Sequence, residues 1–456
     1  MSKTINRISK SRFNALTFSK HPMASITGIE YEYYADEAEN VLGVLVLDVT
    51  DRDWNLVVLG RDERGAFRGI DVEISIGHRE EALKSLFNKL ISYAETGQAV
   101  FPQGEARKKK NEIFEPKVPP ERLHPHFVVL KDGEGYSPAK GIIQEIAYVF
   151  VDLDGNFIEQ FQTTGFDARL WELYLYAYLH EELFGLEGRT PPDFMCVKGR
   201  VPIHIECATV GPSPEFDIDV PPRSPEEAET LLRDYMPIKF GSVLYSKLSK
   251  EYWTLPHVQN HPLIFAVHDF HMNDSMIWSS SAMCTYLYGM RWRSTPLWDA
   301  AGNPLIATEK VGQHTYGGKT IPSGFFFQEK SEYVSAVLLS NSATIAKFNR
   351  IGMLAGFGSP RVKMIRSGTC HNHSPGARGP AKFSVEVELG KYEETWAQGL
   401  SMYHNPNARY PIDMDMFPTI AHHFLEGNML RSLIPDFFPY SSRTIILTPR
   451  ENGRSS

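Results

Sequence analysis

The sequence lacks several signatures that assign a chain to a class at once. It has four cysteines, Cys196, Cys207, Cys284 and Cys370. They lie far apart without CxxC spacing, which argues against a disulfide framework and a zinc ribbon. No apolar run approaches the roughly 18 residues of a membrane span, and the basic N-terminal stretch lacks the apolar core of a secretory signal. We therefore expect a soluble, cytoplasmic protein without a membrane partner.

Three common catalytic signatures are also missing. The chain contains no G-x-S-x-G elbow, no Walker A loop and no Rossmann glycine fingerprint, so a serine hydrolase, an NTPase and a dinucleotide enzyme are not supported. Its 456 residues are 42% hydrophobic and 22% charged, an ordinary globular composition with length for two or three domains. Because the net charge is −8, a nucleic-acid partner would need a local basic surface.

The two ends of the chain flank a middle region with a clearer pattern. Three apolar segments separated by turn residues predict an antiparallel meander over residues 41–76, and residues 78–95 have helical periodicity. We therefore predict an N-terminal α+β module over residues 1–100. A Gly, Pro and charge-rich stretch predicts a linker over residues 101–125, and residues 276–456 form a mixed α/β region of uncertain fold.

The pattern of apolar and polar residues over the middle region, residues 126–275, predicts alternating helices and strands. A short strand "HFVVL" and a helix "PAKGIIQEIAYVFV" come first, and a long helix over residues 164–185 carries Glu172 among apolar neighbours. "DFMCV", a "KGR" turn and "VPIHIECATV" predict a β-hairpin. Two further helices lead to "HPLIFAVHDF", an apolar run typical of a buried parallel strand.

The hairpin carries two carboxylates whose position needs an explanation. Asp193 begins its first strand, and Glu206 lies inside its apolar second strand. A buried carboxylate costs several kcal/mol unless a cation, hydrogen bonds or a metal compensates it. Alternate strand residues share a face, so Glu206 can meet Asp193 from the neighbouring strand. Mg²⁺ binds a small number of carboxylates together with water, which makes a metal site one interpretation and a structural ion pair the other.

This order of elements and acids resembles the PD-(D/E)XK nuclease superfamily, whose core is restriction-endonuclease-like with αβββαβ order. The matching residues are Glu172 on the first helix, Asp193 in "PPDF" and Glu206 in "HIECA". The resemblance covers about 110 residues. It implies an α/β fold, a site in which Asp193 and Glu206 bind Mg²⁺ or Mn²⁺, and Glu172 as a further ligand or as a supporting carboxylate.

The chain departs from the family pattern at its lysine. The family's lysine should follow the second acid by two residues, where this chain has Ala208. Variant members relocate or replace this lysine, and the resemblance leaves several candidates open. The lysines are Lys198 in the hairpin turn and Lys247 and Lys250 on the following helix, and His204 and Thr209 are polar alternatives on the strand itself.

These observations predict a metal-dependent nuclease that hydrolyses nucleic-acid phosphodiester bonds, with DNA favoured over RNA as the partner and a homodimer or a protein partner left open. The catalytic set comprises Glu172, Asp193, Glu206 and one displaced lysine from Lys198, Lys247 or Lys250. Two alternatives remain: an inactive nuclease-like fold that serves as a nucleic-acid-binding or assembly module, and an unrelated α/β scaffold whose carboxylates are ordinary ion-pair residues. A lysine or histidine close to both carboxylates would argue against the inactive module.

Overall fold

The computed structural model describes residues 4–104, 110–152, 155–187, 191–212, 222–272, 275, 278–298, 304–377 and 379–448. Within these ranges the chain is a mixed α/β protein with several separate sheets. None of the helices in these ranges is long and apolar enough to cross a membrane.

The N-terminal part is a five-stranded antiparallel sheet whose strands neighbour one another in chain order. Its strands are β1 (Ile5–Ile8), β2 (Gly28–Asp36), β3 (Val41–Asp48), β4 (Trp54–Arg61) and β5 (Phe67–Ile76). Its helices are α1 (Lys10–Leu16), α2 (Met23–Thr27) and α3 (Arg79–Glu95). Helix α3 buries Leu86 and Leu90 against one face of the sheet, and α1 buries Phe13 and Leu16 against the other. The predicted meander and helix are confirmed, and β1 and β2 extend the meander to five strands.

The segment predicted as a linker packs against the rest of the protein where it is described. Ile113 and Phe114 are buried in the main apolar core, while residues 105–109 of the segment lie outside the described ranges. The strand predicted at "HFVVL" is wrong, because these residues belong to helix α4 (Pro125–Asp132). Proline is well suited to the first helical position, and a short apolar run cannot distinguish a strand from a helix by periodicity.

The centre of the molecule is an eight-stranded mixed sheet in the order β19-β18-β17-β14-β9-β8-β7-β6. Its strands are β6 (Gly185–Leu186), β7 (Phe194–Lys198), β8 (Val201–Val210), β9 (Leu263–Asp269), β14 (Ala336–Ser340), β17 (Leu400–His404), β18 (Ala421–Glu426) and β19 (Met429–Leu433). The pairs β8/β9, β9/β14 and β17/β18 are parallel, and the other pairs are antiparallel. The predicted hairpin and the predicted parallel strand are both confirmed, as β7/β8 and β9.

Helices cover both faces of the central sheet. The helices that complete this region are α5 (Ser137–Val149), α6 (Phe157–Gln162), α7 (Phe166–Glu181), α8 (Pro225–Thr230), α9 (Met236–Leu248), α10 (Ser281–Tyr288) and α11 (Ile345–Leu354). In β9, Ile264 and Ala266 pack in the apolar core beside α5 and α7, whereas Phe265 and Val267 pack beside α9 and α10. A strand buried on both faces in this way reads as a continuous apolar run.

Strands from both sides of the predicted boundary at residues 275/276 lie in this one sheet, since β9 and β14 are parallel neighbours across it. The remaining strands are β10 (Met290–Trp298), β11 (Pro304–Lys310), β12 (Gln313–Tyr316), β13 (Lys319–Pro322), β15 (Lys363–Cys370), β16 (Ala381–Glu386) and β20 (Pro439–Leu447). They form two hairpins, β10/β11 and β12/β13, and a three-stranded sheet in the order β16-β15-β20.

Candidate functional site

The β7/β8 hairpin brings Asp193 and Glu206 to neighbouring positions. Its turn residues Gly199 and Arg200 both have positive φ, the conformation that matches the twist of two antiparallel strands. The resulting register pairs Phe194 with Ile205, so Asp193 comes opposite Glu206. The Oδ2 atom of Asp193 also accepts a hydrogen bond from the Cys207 backbone nitrogen at 2.8 Å, which ties the aspartate to the strand segment that carries Glu206.

Glu206 is buried and carries two strong donors on one oxygen. Lys247 Nζ from α9 and the Tyr252 hydroxyl each lie 2.6 Å from Glu206 Oε1, and only 6% of the residue is exposed. Burial and the negative charge of Asp193 raise the pKa of Glu206 above its ordinary value, against the opposing effect of Lys247. Burial alone would lower the pKa of Lys247, but the Glu206 carboxylate raises it, so the ammonium group stays charged at neutral pH.

Lys247 is the one candidate lysine that the structure brings to the carboxylates. Lys198 lies at the hairpin turn, at the other end of β7, where its Nζ donates to the Met416 carbonyl oxygen at 2.8 Å and contacts Glu182. Lys250 is exposed beyond the end of α9. Of the three predicted positions for the displaced lysine, only that of Lys247 makes a contact with Glu206.

The residue two positions after Glu206 is small because α9 lies over it. Ala208 is 5% exposed and packs in the same apolar cluster as Phe240 and Leu244 of α9. Ala208 also lines the cleft beside the carboxylates, and Lys247 reaches Glu206 from the helix itself.

The two polar alternatives on β8 do not replace that lysine. His204 is fully buried, and burial together with the nearby His257 and His261 lowers the pKa of His204 to about 4. A neutral imidazole cannot supply a positive charge at neutral pH. Thr209 lines the cleft beside the carboxylates but carries no charge.

Glu172 faces the same cleft with a partner of its own. It is buried on α7, and its two oxygens lie 2.7 and 2.9 Å from Arg169 Nη1. Arg169 is held in turn by Gln160 Oε1, which lies 2.8 Å from Arg169 Nε. Glu172 therefore contributes to the wall of the site as a carboxylate already balanced by a guanidinium.

An open cleft of about 520 Å³ adjoins these groups. Its volume lies in the range of small-ligand sites. It is lined from α7, the hairpin and α9, by residues that include Arg169, Glu172, Asp193, Thr209, Ser246 and Lys247. Among the described residues, no group of three or more His, Cys, Asp or Glu side chains is arranged to hold a metal ion. Asp193 and Glu206 form a pair, and Mg²⁺ commonly takes one or two carboxylates and fills its shell with water.

Comparisons with known proteins add no relative. No protein-family model matches the chain, and searches of curated proteins and of solved structures found no match.

Proposed function

We propose that this chain is a divalent-metal-dependent nuclease with a restriction-endonuclease-like core. The observation that carries the proposal is the contact of Lys247 Nζ with Glu206 Oε1, at 2.6 Å, beside Asp193 and an open cleft. The order α7, β6, β7, β8, α9, β9, with the short helix α8 between β8 and α9, supports it. The PD-(D/E)XK core that the sequence resembles has the order αβββαβ. Lys247 of α9 would then perform the role of the family's lysine, whose usual sequence position is occupied by Ala208.

Each residue of the site has a role in this proposal. Asp193 and Glu206 would hold Mg²⁺ or Mn²⁺. When bound, the cation would polarise a phosphoryl oxygen and lower the pKa of the attacking water. Lys247, charged at neutral pH, would neutralise the negative charge that develops on the phosphate. Glu172 holds Arg169 at the cleft wall, where the guanidinium can contact a neighbouring phosphate.

A nucleic-acid-binding module without catalysis is the alternative that the sequence leaves open. The presence of Lys247 at Glu206 favours catalysis, because a module that only binds has no use for a partly buried cation beside two carboxylates. The open cleft beside Lys247 and Glu206 also distinguishes this ion pair from an enclosed, purely structural one.

The test is a cleavage assay with the full chain. Supercoiled plasmid, linear duplex and end-labelled single strands of DNA and RNA are incubated with Mg²⁺, Mn²⁺ or EDTA. We expect cleavage with either metal and none with EDTA. If the chain binds these substrates but cleaves none of them under any metal condition, the nuclease proposal is wrong and the nucleic-acid-binding module is supported.

Lys247→Met is expected to lower kcat by about 100-fold, because a single preorganised donor to developing charge contributes a factor of this size. The affinity for Mn²⁺ should be unchanged or higher, since the ammonium group no longer competes for Glu206. Single-turnover cleavage and calorimetry measure the two effects. Lys391→Met, which removes an exposed lysine, is the control. If Lys250→Met caused the loss instead, the catalytic role would pass to Lys250.

The exposed face of α9 is where we propose that the substrate backbone lies. Helix α9 contains no acidic residue, although the whole chain carries a net charge of −8. Ser242 and Ser246 are exposed along it, Lys250 is exposed just beyond its end, and Lys319 of β13 donates to Ser242 Oγ at 2.8 Å. Lysine and serine side chains are typical contacts to phosphate oxygens, and this face continues directly into the cleft. It supplies the local basic surface that an acidic protein needs to hold nucleic acid.

Replacement of Lys250 and Lys319 of this face by alanine is expected to weaken nucleic-acid binding and to reduce its salt dependence. Each lost phosphate contact lowers the slope of log K against log salt by about 0.9 on a duplex and by about 0.7 on a single strand. Fluorescence anisotropy over a series of salt concentrations, with Ca²⁺ in place of Mg²⁺, measures the slope. The control is a variant in which Lys117 and Lys391 are both replaced by alanine, which removes the same amount of positive charge from another part of the surface. Equal slopes for the two double variants would contradict the assignment of this face.

A further inference from the structure

We propose that Tyr252 is a positioning residue that holds Glu206 in the orientation in which it binds the metal, an inference that rests on the proposed function. Its hydroxyl donates to Glu206 Oε1 at 2.6 Å. Tyr252 matches no position of the sequence pattern discussed above, and its part in the site follows from its contact alone.

The backbone turns sharply to bring Tyr252 back to the strand. Glu251, three residues after the end of α9 at Leu248, adopts a left-handed conformation with φ of 50°, and a short 3-10 turn, Tyr252–Thr254, follows. A non-glycine residue in this region is uncommon and requires support from its surroundings. Glu251 receives such support from an ion pair with Lys330.

A stack from the C-terminal half of the chain fixes the turn. The ring of Trp253 lies parallel to that of Tyr333, with centroids 4.8 Å apart, and the Arg409 guanidinium lies 4.5 Å from the centre of the Tyr333 ring. Stacked rings and a cation over an aromatic ring both attract, so these contacts hold the turn in place. Residues far along the chain thus determine where the Tyr252 hydroxyl lies.

Lys247 and Tyr252, the two donors to Glu206, differ in flexibility and charge, and we expect them to have different roles. Lys247 is a long, flexible cation that can move towards a phosphate, whereas Tyr252 is a rigid neutral donor anchored by its neighbour. Both reach Oε1, and among the described residues none donates to Oε2. When Lys247 turns to a substrate, Tyr252 keeps the carboxylate in place with Oε2 available to the metal. Supporting hydrogen bonds to metal-binding side chains typically contribute 10- to 100-fold in affinity.

Tyr252→Phe removes only the hydroxyl and tests this role. We expect Mn²⁺ affinity, measured by calorimetry on the full chain without nucleic acid, to fall by about tenfold or more. We also expect the metal concentration for half-maximal cleavage to rise by the same factor, while kcat at saturating metal stays within about threefold. Tyr31→Phe is the matched control, because Tyr31 lies on β2, away from the site, with 48% of its surface exposed.

A second variant and the wild-type chain complete the test. Trp253→Leu leaves Tyr252 intact but removes the stack, so it should weaken Mn²⁺ binding in the same direction. Unchanged Mn²⁺ affinity in Tyr252→Phe, with a lowered melting temperature, would overturn the positioning role while the nuclease proposal stood. A wild-type chain that binds Mn²⁺ and cleaves nothing would overturn the nuclease proposal, and weaker Mn²⁺ binding by Tyr252→Phe would still support the positioning role.

Discussion

Asp193→Asn and Glu206→Gln are each expected to lower the rate of metal-dependent cleavage by at least about 1,000-fold, because each replaces a carboxylate of the proposed metal pair with a neutral amide of the same shape. The amide introduced at residue 193 retains an oxygen that can accept the Cys207 hydrogen bond, and the amide introduced at residue 206 retains one for Lys247 and Tyr252. The fold should therefore survive both changes, and the loss should be confined to metal binding and catalysis.

Single-turnover cleavage, Mn²⁺ calorimetry and thermal melting together measure this prediction. Asp132→Asn and Glu388→Gln remove carboxylates from exposed ion pairs with Lys131 and Lys391, and they control for the loss of charge. Glu206→Gln also relieves the cost of a buried carboxylate whose pKa is raised, so its melting temperature should not fall far. Cleavage that persists in both site variants would rule out this pair as the metal site.

Local patterns predicted that Asp193 and Glu206 come together but could not choose among the candidate lysines. The "KGR" turn and the alternating residues of β8 determine the hairpin register, and the register brings Asp193 to Glu206. Which of three lysines reaches the pair depends on how α9 packs over β8, a contact between segments about 40 residues apart. Sequence spacing on a helix says which residues share a face, not where that face lies in space. Tyr252 was missed for a similar reason, because its place depends on the left-handed Glu251.

Local sequence patterns also could not predict the order of strands in the central sheet. The apolar run of β9 predicts a strand buried on both faces, but not its neighbours. Its partners are β8, which precedes it by more than 50 residues, and β14, which follows by about 70. The pair "HH" at residues 422–423 lies in β18. Two consecutive histidines carry no periodicity that separates a helix from a strand.

A buried charge cluster joins the C-terminal three-stranded sheet to the central body and leads to the second large prediction. Glu394 accepts two hydrogen bonds of 2.7 Å from Arg350 of α11 and lies 3.5 Å from Lys347 of the same helix. Arg366 of β15 lies 3.4 Å away. All four side chains are at most 3% exposed. Burial alone would raise the pKa of Glu394, but the three cations hold it well below its ordinary value.

Glu394→Gln is expected to lower the free energy of unfolding by about 3–5 kcal/mol, because it leaves buried cations without their only close carboxylate partner among the described residues. Urea denaturation followed by circular dichroism measures the change. A loss under about 1 kcal/mol would show that the cluster contributes little to stability.

Lys347→Met is the matched control, because it removes one of three cations and keeps the side-chain volume. Burial, together with the charges of Arg366 and Arg350, lowers the pKa of Lys347 to about 7. Between pH 7 and about 10.5 the folded protein thus binds fewer protons at this residue than the unfolded chain, so the contribution of Lys347 to stability rises with pH. The wild type should therefore lose stability as the pH falls from about 9 to about 7, and Lys347→Met should not. The free energy of unfolding of Lys347→Met, relative to that of the wild type, should rise by up to about 1.4 kcal/mol for each pH unit of this fall. A difference in unfolding free energy that stays constant over this range would mean that Lys347 remains charged within the cluster.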